Sequence, residues 1–113
     1  MILDVGEKLH IVERRLFNED LRRHFVGEVV NCIGDMVRAK GNVWIFDNIN
    51  KDFIKKPEIR ERIIKLGDRN TVNVIPKDVD LNEVIYQRTT NGGLVVTDGK
   101  KFSLDVLEFS AQR

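Results

Sequence analysis

Scarcity is informative in this chain. A single cysteine, Cys32, excludes an internal disulfide and fits a reducing compartment. His10 and His24 are the only histidines, and there is no Cys-x-x-Cys or His-Glu-x-x-His run, so no metal site can be written from spacing. Ser103 and Ser110 sit in no Gly-x-Ser-x-Gly elbow, and Cys32 has no histidine partner that can be placed beside it, which removes the usual nucleophilic arrangements. Asn91-Gly92-Gly93 lies between apolar runs and not before a helix, so it is no phosphate loop. No cofactor is implied. No apolar run approaches membrane-spanning length, and Met1 to Gly6 lacks a basic start and a long apolar stretch. The expectation is a soluble cytoplasmic protein without a membrane partner. A net charge of +1 provides no global field toward nucleic acid or lipid.

What is present reads as strands. Residues 22–48 hold the only tryptophan and are rich in Val, Ile and Phe. Gly27, Gly34 and Gly41 break any helical period, so the stretch predicts two long antiparallel strands joined at Gly34-Asp35. Two registers compete. A three-residue loop, Ile33-Gly34-Asp35, puts Phe25 and Val29 on one face with Val37, Ala39, Val43 and Ile45. It also sets Gly27 opposite Gly41 and Glu28 opposite Lys40 on the other face. A two-residue loop instead groups Val26, Val30 and Cys32 with Glu28, and an unpaired core carboxylate is costly. The first register is therefore favoured, and paired glycines suit a sharply coiled ribbon.

Residues 8–16 predict a first strand, followed by a polar turn at 17–20 or a short helix over 17–24 capped by Asn18. Ile49 to Glu58 reads as a loop or a loop with one helical turn, and Pro57 disfavours helix at Lys56. Ile59–Leu66 and Thr71–Ile75 are further strands, the second stopped by Pro76, and Asp80 is placed to cap a single helical turn through Glu83. Val84–Thr90, Leu94–Thr97 and Phe102–Phe109 form a meander. Asn91-Gly92 and Asp98-Gly99 are its expected tight turns, with positive φ at both central residues. The sum is a single all-β domain over 1–113, a small, strongly bent antiparallel barrel of SH3/Sm-like size extended by a C-terminal three-stranded meander.

The functional signals are few. Arg14, Arg15, Arg22 and Arg23 would meet across the first hairpin, and Arg38 and Lys40 share the outer face with Trp44 and Phe46. Guanidinium groups contact phosphates and aromatic rings stack on bases, so such a face could hold RNA or single-stranded DNA. Glu13, Glu19, Asp20 and Glu28 interleave with these cations, and the competing reading is a solvated, ion-paired face. Trp44 and Phe46 would be covered either by the chain itself or by a second subunit. His10 and His24 would lie near each other across the first hairpin, as ordinary strand-face residues or as a joint site. Asp35 and Asp47 are acid–base candidates by elimination.

Phe25-Val26-Gly27-Glu28-Val29, with a turn and a strand ending Ile45-Phe46-Asp47, resembles the opening strands of Sm-like small barrels, which form rings and bind RNA. The family's Asp-x-x-hydrophobic-Asn pattern is not met, because Met36, Val37, Arg38 and Ala39 follow Asp35. Only Lys65-Leu66-Gly67 stands where its Arg-Gly signature would be, so no RNA-binding residue is carried over. The leading expectation is a non-enzymatic binding or assembly module that forms homo-oligomers. Nucleic-acid binding comes second and a carboxylate-based enzyme third.

Overall fold

The hairpin at the centre of the chain sets the architecture. In the computed structural model, which describes residues 2–15, 22–67 and 69–106, strands β2 (Arg23–Ile33) and β3 (Met36–Asp47) turn at Gly34-Asp35. Ile33 pairs with Met36, so the loop has two residues, with Gly34 in the left-handed region at φ +59°. Further down, Val29 faces Ala39, Gly27 faces Gly41 and Phe25 faces Val43, the pairing of a three-residue loop. A bulge between Val29 and Asn31 reconciles the two. One extra residue on β2 shifts the register by one step, so Cys32 joins the side that Phe25 and Val29 occupy while Glu28 stays exposed.

Around this hairpin, β1 (Lys8–Glu13), β4 (Asp52–Lys55), β5 (Arg60–Lys65) and β6 (Asn70–Ile75) complete a six-stranded antiparallel sheet in the order β4-β3-β2-β1-β6. Strand β5 pairs with residues 36–41 of β3 and β4 with residues 44–47, so both occupy the β3 edge that β2 leaves open. Strand β4 lies in the segment expected to be a loop. Its pattern is only four residues long, and Phe53, opposite Phe46, is its one buried anchor. The first strand ends at Glu13, short of the expected residue 16, and the turn or helix expected over 17–20 lies outside the described residues.

One face of the sheet carries the core. Leu9 and Ile11 of β1, Phe25 and Val29 of β2, and Val37, Ala39 and Val43 of β3 pack with Leu3, flanked by Ile45, Ile64, Leu66 and Val72. Burying each large side chain of this kind contributes about 2 kcal/mol. The glycine pair allows the two central strands to close up. A Cβ on Gly27 would stand 2.6 Å from the Lys40 carbonyl oxygen and 2.6 Å from the Phe25 ring, and one on Gly41 would overlap the Val26 carbonyl and the Gly27 Cα. The second face is buried too. His10, His24, Val26, Trp44 and Phe53 are each at most 7% exposed.

The contacts divide the chain into two compact units, Met1–Ile75 and Pro76–Arg113. In the second, β7 (Ile85–Arg88), β8 (Leu94–Thr97) and β9 (Ser103–Asp105) form a three-stranded antiparallel meander. A 3-10 turn at Leu81–Glu83 precedes it, capped as expected by the Asp80 carboxylate, which accepts from the Asn82 N–H at 3.0 Å. Tyr86, Val96 and Leu104 share the inner side of the meander, and burial pushes the Tyr86 hydroxyl well above its ordinary pKa. Its turns differ from the expectation. Gly92 and Gly99 have positive φ but Asn91 and Asp98 do not, and each loop spans five residues, where the expected strand bounds leave three and four. Side chains take over the role of the tight turn. Thr89 Oγ1 accepts from Gly93 N–H, and the Asp98 carboxylate accepts from the N–H groups of Lys100, Lys101 and Phe102.

No helix among the described residues is long and apolar enough to cross a membrane.

Candidate functional site

The most unusual chemistry lies on the second face of the six-stranded sheet. His10 on β1 and His24 on β2 are 0% and 5% exposed. Strand alternation turns both away from Leu9, Ile11 and Phe25, toward the same side as Trp44. His10 Nε2 lies 3.2 Å from His24 Nδ1, the rings meeting edge to face at a 5.0 Å centroid separation. On the far side, the Asn73 amide nitrogen of β6 lies 3.2 Å from His10 Nδ1. If the amide donates there, His10 carries its proton on Nε2 and donates to His24 Nδ1, which leaves the His24 proton on Nε2. Burial holds both rings neutral. It lowers His10 to about 4 and His24 to about 3, the latter pushed further by His10 and by Arg22.

An aromatic row continues outward from the pair. The His24 ring packs on Phe53 at 4.4 Å, Phe53 meets Phe46 edge-on at 5.3 Å, and the Arg22 guanidinium caps Phe46 at 4.9 Å. Beside it, the Lys55 ammonium stands 5.9 Å over Trp44. Trp44 is 6% exposed, covered by the chain itself as in the first of the two expected alternatives, and Phe46 is half-buried.

The basic residues singled out by sequence fall into two groups. Arg14, Arg15, Arg22 and Arg23 lie at the ends of β1 and β2, where Arg15 is near enough to Arg22 to add to the effect of burial in lowering its pKa. Arg23 faces the Glu13 carboxylate at 3.8 Å. Arg38 and Lys40 lie beyond the Gly27–Gly41 pair, on the other half of β3. There Arg38 donates to Glu61 at 3.0 Å, and Lys40 stands in register between Glu28 and Glu61. Of the two acids named by elimination, Asp47 uses its carboxylate in a turn, and Asp35 is bonded through its backbone. The Asp47 side chain accepts from Ile49 N–H and the Asn50 amide, and the Asp35 carbonyl accepts from Leu66 N–H.

Recesses among the described residues include two with room for a small group. One, about 140 Å³ between Cys32, Ile33, Met36, Val37 and Ile63, is shallow, apolar and well under the size of an ordinary small-molecule site. The other, about 580 Å³ on the three-stranded unit, is an open trough whose Lys100 and Lys101 are engaged by Glu83 and Asp78. No group of three or more histidine, cysteine or acidic side chains able to hold a metal occurs among the described residues.

Among the described residues, β4, β5 and β6 each pair along one side only. Strand β5 carries Arg60, Glu61, Arg62 and Lys65. Strand β6, Asn70-Thr71-Val72-Asn73-Val74-Ile75, carries no charge, and β1 is its only ladder partner among the described residues. Sequence reasoning placed the histidines together but missed Asn73, because the pairing of β6 with β1 spans some sixty residues and leaves no local signal. No protein-family model, curated protein or solved structure matches this chain, so its geometry alone carries the functional reading.

Proposed function

We propose that the chain is a non-enzymatic assembly module that joins further copies of itself through the open edge of β6. The scaffold for this reading is a small SH3/Sm-like barrel built from β1, β2, β3, β5 and β6. Side chains of all five strands contribute to one core, and a short turn links β5 to β6, where the Arg69 carbonyl accepts the Arg14 N–H.

The observation that carries the reading is the uncharged edge. Unpaired N–H and C=O groups recruit another strand unless charge, proline or a bulge prevents it. Strand β5 has that protection and β6 does not, and Val74 of β6 is 57% exposed. The segment Val72-Asn73-Val74 also reads the same in both directions. Two copies of β6 laid antiparallel about Asn73 set Val72 opposite Val74 twice, and Thr71 opposite Ile75, without opposing like charges.

Light scattering tests it. The expected particle exceeds the 13.1 kDa chain, and Val74→Lys returns it to 13.1 kDa with an unchanged circular dichroism spectrum, because the side chain is already in water. A wild-type particle of monomer mass at high concentration overturns the reading.

A second reading, nucleic-acid binding, is favoured by the approach of Arg15 to Arg22 on a strand end that also presents Arg14 and Arg23. It requires a gel shift that weakens steeply with salt and with Arg22→Ala plus Arg23→Ala. No shift at low salt removes it.

A further inference from the structure

The buried histidine pair and the open edge are connected. Strand β6 is six residues long, and its ladder contacts among the described residues are all to β1. The middle of that ladder, Asn73 opposite His10, is also where a side-chain hydrogen bond joins the two strands. We propose that Asn73, His10 and His24 form an acid-released latch: with both rings neutral it holds β6 on β1 and presents the edge, and a proton on the pair frees β6 and disperses the assembly. The latch rests on the assembly reading for what it regulates.

The chemistry follows from counting donors. Each neutral ring has one donor and one acceptor, so the chain from Asn73 through His10 to His24 runs in one direction at a time. A proton on His24 Nδ1 would put an N–H against the His10 Nε2–H, 3.2 Å away. Moving the His10 proton to Nδ1 relieves that clash but sets it against the Asn73 amide hydrogens, so the amide either turns its oxygen to His10, which keeps β6 attached, or leaves, and release follows from the cost of holding the charge in the closed state. A charge arriving at His24 therefore reaches β6 through two hydrogen bonds.

The surroundings give such a charge little support. On the same face stand Lys8 of β1, Arg22 and Glu28 on or beside β2, Lys40 of β3 and Lys55 of β4, with Trp44 and Phe53 packed nearby. Thr71, Asn73 and Ile75 of β6 bring no charge. Among the described residues, the one carboxylate on this face, Glu28, is exposed and lies in register between Lys8 and Lys40. A new cation thus enters a dry, mostly cationic environment, while the same ring in an opened state returns to ordinary solvation and protonates near pH 6.5. Opening takes up protons below that pH, so acid favours it by roughly tenfold per pH unit for each histidine involved.

Hydrogen exchange of the full chain at pH 7 and pH 5, corrected for the intrinsic pH dependence of exchange, is the primary test. At pH 5 the amides of residues 70–75 should exchange at least about tenfold faster than at pH 7 and with an opening free energy below that of global unfolding, while those of the β2–β3 ladder stay at the global unfolding free energy. Light scattering should show the particle falling to 13.1 kDa over the same range, with His10→Gln plus His24→Gln keeping its mass. Residues 70–75 opening at pH 5 only at the free energy of global unfolding, together with the β2–β3 ladder, or β6 protection that survives at pH 5, overturns the latch. The exchange comparison uses the wild-type chain, so it decides the matter even if the double substitution does not fold. A chain that is monomeric at pH 7 overturns the assembly reading alone, and the contrast between the two ladders still decides the latch.

Discussion

The middle of the β2–β3 hairpin and strand β6 belong to one sheet but are finished in opposite ways. At Val43 and Trp44, neighbouring residues of β3, both faces are buried, and strands pair on both sides. Among the described residues, strand β6 is paired along one side, and its exposed Val74 faces water. The same β-forming residues make a closed interior in one place and an unfinished edge in the other. What differs is the chain on either side of them.

Substitution at the closed centre should have the largest effect. Gly41→Ala drives a methyl group into the Val26 carbonyl and the Gly27 backbone, neither of which can swing aside. A loss of about 4 kcal/mol or more is expected, enough to unfold a domain of this size, and urea denaturation measures it. An alanine variant as stable as wild type would mean that β2 and β3 do not approach as described.

Acid comes next in size and acts between the two regions. The unfolded chain protonates His10 and His24 at ordinary values near 6.5, while the folded chain holds them at about 4 and about 3. Below pH 6.5 the unfolded state therefore binds more protons, so stability falls as pH falls, by about 3 kcal/mol for each ring by pH 4. Thermal denaturation from pH 7 to pH 4 checks the slope. Replacing both rings with glutamine should flatten it, and a variant with the wild-type slope would assign the acid sensitivity to other groups.

The two regions also differ in how well the sequence shows them. The hairpin was legible because its evidence is local: three glycines, alternating apolar residues, and a carboxylate that disfavours one register. The bulge at Val30 was not, since a one-residue slip keeps the alternation on each side of it and only packing selects where it falls. Strand β4 was hidden by brevity, with one buried anchor in four residues. The burial of Trp44 depends on Lys55 and on neighbours far along the chain. In the meander, Asn-Gly and Asp-Gly correctly marked turns, but Thr89 and Asp98 side chains set longer loops than the dipeptides implied. Of the candidate site, the histidine pair could be anticipated from one hairpin, whereas Asn73 and the open edge required knowing that β6 returns to β1.

The smallest expected effect sharpens the contrast between the two margins. On the β5 side, Arg38 and Glu61 form a 3.0 Å ion pair, but both side chains are nearly half exposed. Water and salt screen such a pair, so a double-mutant cycle with Arg38→Ala and Glu61→Ala should return about 0.5 kcal/mol, less at high salt. If the charges on β5 serve to keep other strands away and contribute little to the fold, removing Glu61 with Arg60 and Arg62 should leave the melting temperature almost unchanged. The variant should nonetheless form larger particles than wild type, because its margin then resembles β6. A variant that keeps the wild-type mass would mean that charge is not what distinguishes the two edges, and the argument for β6 as the joining strand would lose its basis.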